Sequence, residues 1–574
     1  MVVSHHIVVY KMDRLKQKPF YLSDEDIKWV NDTKNKMSLD EKISQLFCLI
    51  AYSADENYLK FLSTQLQIGA IMCRVMPNDE LIKTISVLQE TSKIPMLISA
   101  NLEAGGNGVS TNGTKLGSQM AIAACDDFKY AKALGEVCGK EGSALGVNWS
   151  FAPIVDIDNN FRNPITNTRT FGSNVDTVLG CGKTYIEEIQ KYGVAGCAKH
   201  FPGDGVDERD QHLVTTINSL SETEWMESYG KVYKACIDSG VKSVMVGHIM
   251  LPAFTKKYNP TIKDEDILPA TVSKEIVTNL LKEELGFNGL VITDSTTMAG
   301  LNMALPREKL VPMTIAAGCD MFLFTKNLEE DFSYMREGYV SGIITDERLD
   351  EALTNILALK ASLKLHKSRN IPTLENINKV VGKSFDIANE IADKSITLVK
   401  NKENILPINP NKHKRVLFYS LESTAGTMGF SVAVGANNRF MEKLKEKGFD
   451  VTLFVPKPGF EGTMASAKEI IDNYDLIIYS ANLATKSNQT TVRIEWCEPM
   501  GANVPVYSHS VPTIFVSLEN PYHLLDVPRV KTYINTYGST DIILDNLIKK
   551  LMGESEFKGV SPVDPFCGKW DTRL

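Results

Sequence analysis

Hydrophobic and polar positions form two kinds of pattern over the first two thirds of the chain. Some stretches place apolar side chains at three- and four-residue spacing, which is typical of amphipathic helices. In one of them Ser38 and Glu41 form a capping box, and Ile43, Leu46 and Phe47 predict the apolar face of the helix that follows. Other stretches are short and almost continuously apolar, and they lie between the helical ones.

The short apolar runs have the length of β-strands. Continuous apolar runs of this length indicate strands of a parallel sheet that is covered on both faces. Seven or eight helix-and-strand units predict a (β/α)₈ barrel, although the spacing alone leaves a doubly wound open sheet as the alternative. The runs are Ile68–Val75, Pro95–Ala100, Trp149–Ile157, Val194–His200, Val241–His248, Gly289–Asp294 and Met321–Thr325.

A second α/β region follows the barrel. We predict an N-terminal extension at residues 1–22, a barrel domain at 23–385, a linker at 386–411 that contains Pro407, and a three-layer α/β/α domain at 412–574. The predicted strands of this last domain are Arg415–Ser420, Val451–Val455, Leu476–Ser480 and Thr513–Leu518. Its predicted helices are Asn437–Lys447, Ala465–Asn473 and Thr540–Met552.

Composition narrows the class of protein. The net charge of −8 and the lack of a dense basic tract argue against nucleic-acid binding, and no apolar run approaches the ~18 residues of a membrane helix. The ten cysteines include no Cys-x-x-Cys pair, which favours a reducing cytoplasm. We find no metal-ligand cluster and no phosphate-binding fingerprint, so we expect no cofactor; the oligomeric state is left open.

Candidate chemistry is concentrated in the segment from Lys199 to His212. Lys199 and His200 directly follow an apolar run, as expected for a strand that delivers polar groups to a site at its carboxyl end. Asp210 lies two residues before His212, so in extended chain the two side chains share a face, and a carboxylate can fix the tautomer of a neighbouring imidazole. The alternative interpretation is a solvated loop with a chance Asp-x-His.

Asp294 ends another predicted buried strand. It is a candidate nucleophile or base, or else the cap of the next helix, a task that Ser295 can also perform. Asp294, His212 and Asp210 together suit retaining glycoside hydrolysis, in which a carboxylate attacks the anomeric carbon and a second group donates a proton. They equally suit a hydrolase that uses an aspartate nucleophile on another substrate.

Several blocks of the sequence occur in the order known from one enzyme family. The chain resembles glycoside hydrolase family 3, and specifically its bacterial β-N-acetylhexosaminidase branch, from about residue 37 to the C-terminus. The blocks are Lys199–Gly203 with Asp210-x-His212, Phe151–Asp156, Thr168–Gly172, Gly247–Ile249 and Ile292–Ser295. The stretch 395–407 is similar to the junction that leads into the family's C-terminal α/β sandwich domain.

The resemblance implies roles for individual residues. It implies that Asp294 is the nucleophile, that His212 is the acid/base residue with Asp210 as its partner, and that Arg169, Lys199 and His200 bind the sugar. Asn101, which replaces an aspartate that grips sugar hydroxyls in the family, is expected to bind the sugar as well. Asp204 replaces a histidine. His248, after another apolar run, either lines the same pocket or is a satisfied core histidine.

We therefore expect a cytoplasmic retaining exo-β-glycosidase. Its expected substrates are small β-N-acetylglucosaminides from cell-wall or chitin turnover, with β-glucosides as a second class. Some relatives with a histidine acid/base use phosphate instead of water, so a phosphorylase is one alternative. A non-catalytic sugar-binding relative is another, although such a protein would be expected to lose Asp294 or His212.

Overall fold

A computed structural model describes residues 14–422, 435–457, 459–464, 466–485 and 487–574. These residues group into two compact units. The first unit takes its described residues from the ranges up to 115, 131–157 and 175–384; the second comprises 116–130, 158–174 and 385–574. The second unit therefore includes two short segments that lie within the sequence of the first.

The strands are short and are followed in most cases by helices. The strands are β1 (Phe47–Ile50), β2 (Ala70–Met72), β3 (Leu97–Ala100), β4 (Trp149–Ser150), β5 (Cys197–Phe201), β6 (Thr216–Ile217), β7 (Ser243–Val246), β8 (Ile249–Met250), β9 (Leu290–Thr293), β10 (Phe322–Leu323), β11 (Thr397–Asn401), β12 (Arg415–Glu422), β13 (Asp450–Leu453), β14 (Leu476–Asn482), β15 (Thr513–Ser517) and β16 (Thr532–Asn535).

The α-helices are α1 (Asp24–Lys36), α2 (Leu39–Gln45), α3 (Glu56–Lys60), α4 (Asn78–Thr91), α5 (Gln119–Ala124), α6 (Phe128–Ala144), α7 (Val175–Ile189), α8 (Glu222–Trp225), α9 (Lys231–Asp238), α10 (Pro252–Tyr258), α11 (Ala299–Asn302), α12 (Arg307–Ala317), α13 (Leu328–Val340), α14 (Asp346–Ser362), α15 (Leu374–Val380), α16 (Phe385–Ser395), α17 (Ala436–Glu446), α18 (Ala467–Asn473) and α19 (Asp541–Leu551). Wider π-type turns form Phe61–Leu66, Met226–Gly230 and Glu275–Glu284. Short 3₁₀ turns form Gly106–Gly108, Asn167–Arg169, Gln190–Tyr192, Asp264–Asp266, Ala270–Val272, Pro499–Gly501, His523–Leu525 and Asp571–Arg573. None of the helices in the described part of the chain combines the length and apolar character needed to cross a bilayer.

The first unit is a closed barrel of eight parallel strands. Five strands pair in the order β10-β1-β2-β3-β4, and three in the order β5-β7-β9. Single bridges between Trp149 and Ala195 and between Ile292 and Met321 join the two groups at both ends. The (β/α)₈ barrel is confirmed, and the doubly wound alternative is excluded because the strand order closes on itself.

The first barrel strand is the one element of the ring that the apolar pattern missed. The predicted helix face included Phe47, but the helix ends at Gln45, and Phe47 begins β1. There it pairs in register with Phe322 of β10, and its ring stacks on Phe332 at 3.9 Å. Pairing with two neighbouring strands overrides the local helical spacing here. The capping box of Ser38 and Glu41 is confirmed.

The second unit is built on a six-stranded sheet in the order β11-β16-β15-β14-β12-β13, parallel except for β11. Alternate residues of each strand pack on opposite faces. Val416 and Phe418 join a core with Phe440 of α17 and Leu547 of α19. On the other face of the sheet, Leu417 belongs to a second core, which includes the stacked rings of Tyr419, Tyr479 and Phe515. The three-layer domain follows from these two cores.

Two predicted boundaries differ from the structure. Residues 386–411 do not form a linker: they contain most of α16 and all of β11, which pairs antiparallel with β16 at the edge of the sheet. The predicted extension at 1–22 is described only from residue 14, and there Leu15, Phe20 and Leu22 are buried and belong to the first unit. Residues 1–13 lie outside the described residues.

A buried lysine makes the stability of the barrel depend on pH. Lys360 on α14 is fully buried, and its Nζ donates to Oε1 of Gln45 at 2.7 Å. Burial lowers the pKa of Lys360 to about 7. Because an unfolded lysine titrates near pH 10.4, the unfolded chain binds more protons between about pH 7 and pH 10, and stability due to this group rises with pH over that window.

We predict that Lys360→Met raises the melting temperature at pH 7 by roughly 2–6 °C, because it removes an amine whose charge is costly to bury. The gain should shrink from pH 7 toward pH 10, because over this range the folded lysine is already neutral while the unfolded lysine still binds a proton, and the free-energy advantage of that binding falls as the pH rises, which stabilises the wild type. Thermal melts at pH 7 and pH 9.5 measure this, with the exposed Lys28→Met as the control. An equal gain at both pH values would contradict the lowered pKa of Lys360.

Candidate active site

Asp294 lies at the carboxyl end of the barrel strand β9. Its backbone N–H donates to the carbonyl of Val246 at 2.8 Å, so the residue is held where β7 and β9 end. The N–H of Ser295 donates to Asp294 Oδ1 at 2.7 Å, and the side chain is 13% exposed. The carboxylate is therefore fixed on one oxygen and accessible from the end of the barrel where barrel enzymes place their sites.

The surroundings of Asp294 keep it ionised. Burial by itself raises the pKa of this carboxyl. The charges of His200, His248 and His212, together with the Ser295 N–H, outweigh burial, and the pKa of Asp294 is lowered from its usual value. An ionised carboxylate with one oxygen free of the Ser295 hydrogen bond is able to act as a nucleophile or as a base.

His200 connects Asp294 to a second buried carboxylate. His200 Nδ1 donates to Asp156 Oδ2 at 2.7 Å, and the backbone N–H of His200 donates to Asp156 Oδ1 at 3.1 Å. Since a carboxylate only accepts, Asp156 holds the proton on Nδ1 and fixes the ring orientation. His200 Nε2 then lies 3.8 Å from Asp294 Oδ2. Asp156 is a site residue that the sequence pattern alone does not single out; its one signal is its place at the end of the Phe151–Asp156 block.

Asp210 and His212 pair closely. His212 Nδ1 donates to Asp210 Oδ1 at 2.7 Å, and the same oxygen accepts the backbone N–H of His212 at 2.8 Å. The pair forms in a tight turn and not in extended chain, because the N–H groups of Leu213 and Val214 also return to the carbonyl of Asp210. Asp210 is buried, whereas the side chain of His212 is 24% exposed, so the free ring nitrogen remains accessible.

Lys199 lies beside two polar residues of the loop after β3. Its Nζ donates to Glu103 Oε1 at 2.7 Å and to Asn101 Oδ1 at 3.4 Å. Asn101 was predicted as a sugar-binding residue and Glu103 was not, although both belong to one sequence block. The three side chains bring a cation, a carboxylate and an amide together, and such a group can bind several hydroxyls at once.

His248 differs from the prediction that it binds substrate. It is completely buried, its Nε2 donates to the carbonyl of Ser295 at 2.9 Å, and its Nδ1 lies 2.8 Å from Thr271 Oγ1. Burial lowers the pKa of His248 to about 4. With both ring nitrogens engaged inside the protein, the residue supports the segment after Asp294 and offers no polar atom to a ligand.

Arg169 lies in the Asn167–Arg169 turn, which belongs to the second unit. Its predicted role in sugar binding stays a prediction.

Within the described residues, no three His, Cys, Asp or Glu side chains come together as a group that could hold a metal ion. The chemistry that the arranged residues offer is nucleophilic attack and proton transfer.

An eight-stranded barrel that carries a carboxylate, two carboxylate-paired histidines and a cluster of lysine, glutamate and asparagine has the groups of a hydrolytic or group-transferring enzyme. Residues 38–359 match the model of the Glycosyl hydrolase family 3 N terminal domain. The chain belongs to glycoside hydrolase family 3. This agrees with the family that the sequence blocks indicated.

Known relatives extend over both units. The chain is 53% identical to a protein of Cellulomonas fimi named beta-N-acetylglucosaminidase/beta-glucosidase, over 98% of this chain and all of that one. It is 44% identical to the solved structure of a beta-glucoside phosphorylase, BglX, with a TM-score of 0.91 over 98% of this chain and 100% of the other. A family 3 beta-N-acetylglucosaminidase from Paenibacillus sp. str. FPU-7, 23% identical with a TM-score of 0.76 over 93% of this chain and 100% of that one, shares the fold.

The lowered pKa of Asp294 predicts how covalent labelling depends on pH. A 2-deoxy-2-fluoro-β-glucoside with a dinitrophenolate leaving group needs no proton donor, so its labelling rate reports the ionised nucleophile. Because Asp294 stays ionised above its lowered pKa, we expect the rate to change by less than about twofold between pH 7 and pH 5.

Intact-protein mass spectrometry measures the labelling, and circular dichroism checks that the protein stays folded at each pH. Asp294→Asn is the matched control and should not be labelled. A rate that falls with an apparent pKa near 6 would contradict an ionised Asp294.

Proposed function

We propose that this protein is a retaining exo-β-glycosidase that acts on small β-N-acetylglucosaminides and β-glucosides. The proposal rests on the Asp294 carboxylate at the carboxyl end of β9, together with the Asp210-paired, partly exposed His212, whose backbone carbonyl accepts the N–H of Ala299 in the segment that follows Asp294. The name of the Cellulomonas fimi relative supports both substrate classes.

In the first step Asp294 attacks the anomeric carbon of the bound sugar. Its free oxygen forms a bond to that carbon while the bond to the leaving-group oxygen breaks. His212, protonated, gives its proton to the departing oxygen, and Asp210 stabilises the orientation of the ring. The products are a glycosyl-enzyme ester and a free alcohol.

In the second step the same histidine acts as a base. Neutral His212 takes a proton from water, whose oxygen attacks the anomeric carbon from the side that the leaving group vacated. The ester bond to Asp294 breaks, and the sugar leaves with its original configuration. His200 supports both steps, because its ring lies beside the carboxylate whose charge is lost and then regained.

Lys199, Asn101 and Glu103 are the proposed contacts to the sugar hydroxyls. Lys199 supplies donors, Glu103 accepts, and Asn101 does both. An amide at position 101 forms weaker hydrogen bonds to hydroxyls than a carboxylate does. Glu103, held by Lys199, provides a carboxylate two residues away.

If His212 is the proton donor, the effect of its removal depends on the leaving group. We expect His212→Ala to lower kcat/KM on the order of 10²- to 10⁴-fold for alkyl glycosides, whose alcohols leave only when protonated. For dinitrophenyl glycosides the loss should be within about tenfold, because this group leaves as an anion. Steady-state kinetics with both substrates measure the difference, and His509→Ala, an exposed histidine of the second unit, is the control. Equal losses on both substrates would refute the role.

Phosphorolysis is the second candidate function. The beta-glucoside phosphorylase BglX, similar over nearly the full length of this chain, is the observation that favours it. A carboxylate acid/base and a phosphate 4 Å apart would repel each other by about 4 kcal/mol per pair of unit charges at an effective dielectric constant of 20. A neutral imidazole removes that repulsion, so His212 admits either water or phosphate as the acceptor.

Product analysis distinguishes the two acceptors. With p-nitrophenyl glucoside or N-acetylglucosaminide in phosphate-free buffer, hydrolysis should release the free sugar at a rate that phosphate does not change. If phosphate up to ~10 mM accelerates turnover and yields a sugar 1-phosphate, the enzyme is a phosphorylase. Chromatography of the products with and without phosphate measures both outcomes, and sulfate at equal ionic strength is the control.

A non-catalytic sugar-binding role is less well supported, since such a relative would be expected to lose Asp294 or His212, and both are present. We also propose a cytoplasmic location. None of the ten cysteines, all within described residues, forms a disulfide, and nine of them are buried, which is expected in a reducing compartment.

A further inference from the structure

Gln211 lies between the two residues of the proposed acid/base pair and points the other way. Its side chain is completely buried. Its Nε2 donates to Asp204 Oδ2 at 3.1 Å, and its Oε1 accepts the backbone N–H of His248 at 2.8 Å. The amide therefore joins the turn of the acid/base residue to the loop after β5 and to the residues that follow β7.

Asp204 extends this connection toward the nucleophile. It is buried, and its Oδ1 accepts the N–H of Gly205 at 2.7 Å. Its own N–H donates to Asp156 Oδ1 at 2.8 Å. Asp156 is the carboxylate that orients His200, whose ring lies beside Asp294. A continuous series of hydrogen bonds thus runs from His200 through Asp156 and Asp204 to Gln211.

The turn that contains His212 is held from a second side by the segment after Asp294. The N–H of Ala299 donates to the carbonyl of His212 at 3.0 Å, and Thr215 Oγ1 donates to the carbonyl of Gly300. The backbone of the turn is thereby fixed on one flank. The amide of Gln211 fixes the other flank, and each of its two hydrogen bonds has only one acceptable direction.

We propose that Asp204 and Gln211 are positioning residues that set the orientation of His212 for proton transfer. The inference rests on the proposed function. Misplacement of a proton-transfer group by about 1 Å can cost on the order of 10²-fold in rate, and a buried amide with both ends hydrogen-bonded restricts movement on that scale. Neither residue touches the reacting atoms; each acts through the turn.

Two single substitutions break the hydrogen bond between Asp204 and Gln211 without changing side-chain size. In Asp204→Asn, whichever way the two amides turn, one N–H group faces another N–H group. In Gln211→Glu, the new carboxylate faces the carboxylate of Asp204 at about 3 Å, and like charges repel at that distance. For alkyl glycosides we expect kcat to fall by roughly 10- to 100-fold in each single variant, with KM nearly unchanged.

The double variant Asp204→Asn with Gln211→Glu should restore the hydrogen bond between the two residues, with residue 204 now the donor and residue 211 the acceptor. The amide introduced at position 204 would donate to one oxygen of the carboxylate introduced at position 211 and accept the Gly205 N–H. The other oxygen of that carboxylate would accept the His248 N–H. Net charge and size equal those of the wild type. We expect kcat to return to within about fivefold of wild type, a strong positive coupling between the two sites.

The measurement is the ratio of kcat/KM for an alkyl glycoside to that for a dinitrophenyl glycoside. This ratio does not depend on how much of a variant is correctly folded, and only the alkyl substrate needs the proton. The matched control is Gln89→Glu. Gln89 is also fully buried, and it hydrogen-bonds both the N–H and the carbonyl of Met96, before β3 and at the opposite end of the barrel strands. The Gln89→Glu variant should lower the melting temperature without changing the ratio of the two kcat/KM values.

Wild-type kinetics are measured first. An inactive wild type would remove the proposed function and this inference with it. Given an active wild type, single variants with an unchanged ratio, or a double variant no better than the singles, would overturn the positioning role and leave the glycosidase assignment intact. A ratio that falls in both singles and recovers in the double variant supports it.

Discussion

The carboxylate of Asp156 is the constraint on which the arrangement of the site depends. It accepts three hydrogen bonds: two from His200 near the end of β5, and one from the N–H of Asp204 in the loop that follows. A buried carboxylate needs such donors, because leaving its charge unpaired inside the protein is expensive. The same three bonds orient the ring beside Asp294 and locate the start of the loop that leads to His212.

In the second unit a different buried carboxylate, Asp158, holds the segment 158–174, although it follows Asp156 by only two residues. Asp158 accepts the hydroxyls of Tyr522 and Thr166, each at 2.5 Å, and burial raises its pKa. Asn167 Nδ2 donates to Asn520 Oδ1 at 3.2 Å. The segment 158–174, which contains Arg169, is therefore held by residues that lie more than 300 positions later in the chain, at 520 and 522.

In the proposed mechanism, a histidine in place of the usual carboxylic acid makes the choice between water and phosphate a matter of electrostatics. The ring can return to a neutral state after it has donated its proton, whereas a carboxylic acid becomes an anion. The same two protein groups then serve water or phosphate, and discrimination falls to residues around the acceptor. The two relatives named above, one a glycosidase and one a phosphorylase, fit a site of this kind.

The sequence by itself determined the barrel, most of its strands and several polar residues at the carboxyl ends of those strands. Strands covered on both faces need continuous apolar runs, and Lys199, His200 and Asp294 end such runs, so their shared location followed from strand polarity. The tertiary structure alone decided four other things. Phe47 begins a strand and does not extend the helix, because β2 and β10 pair with β1. The segment predicted as a linker contains β11, which forms an edge of the second sheet. His248 became a buried support, and Glu103, Asp156 and Gln211 gained their roles, because hydrogen-bond partners distant along the chain leave no periodic trace in it.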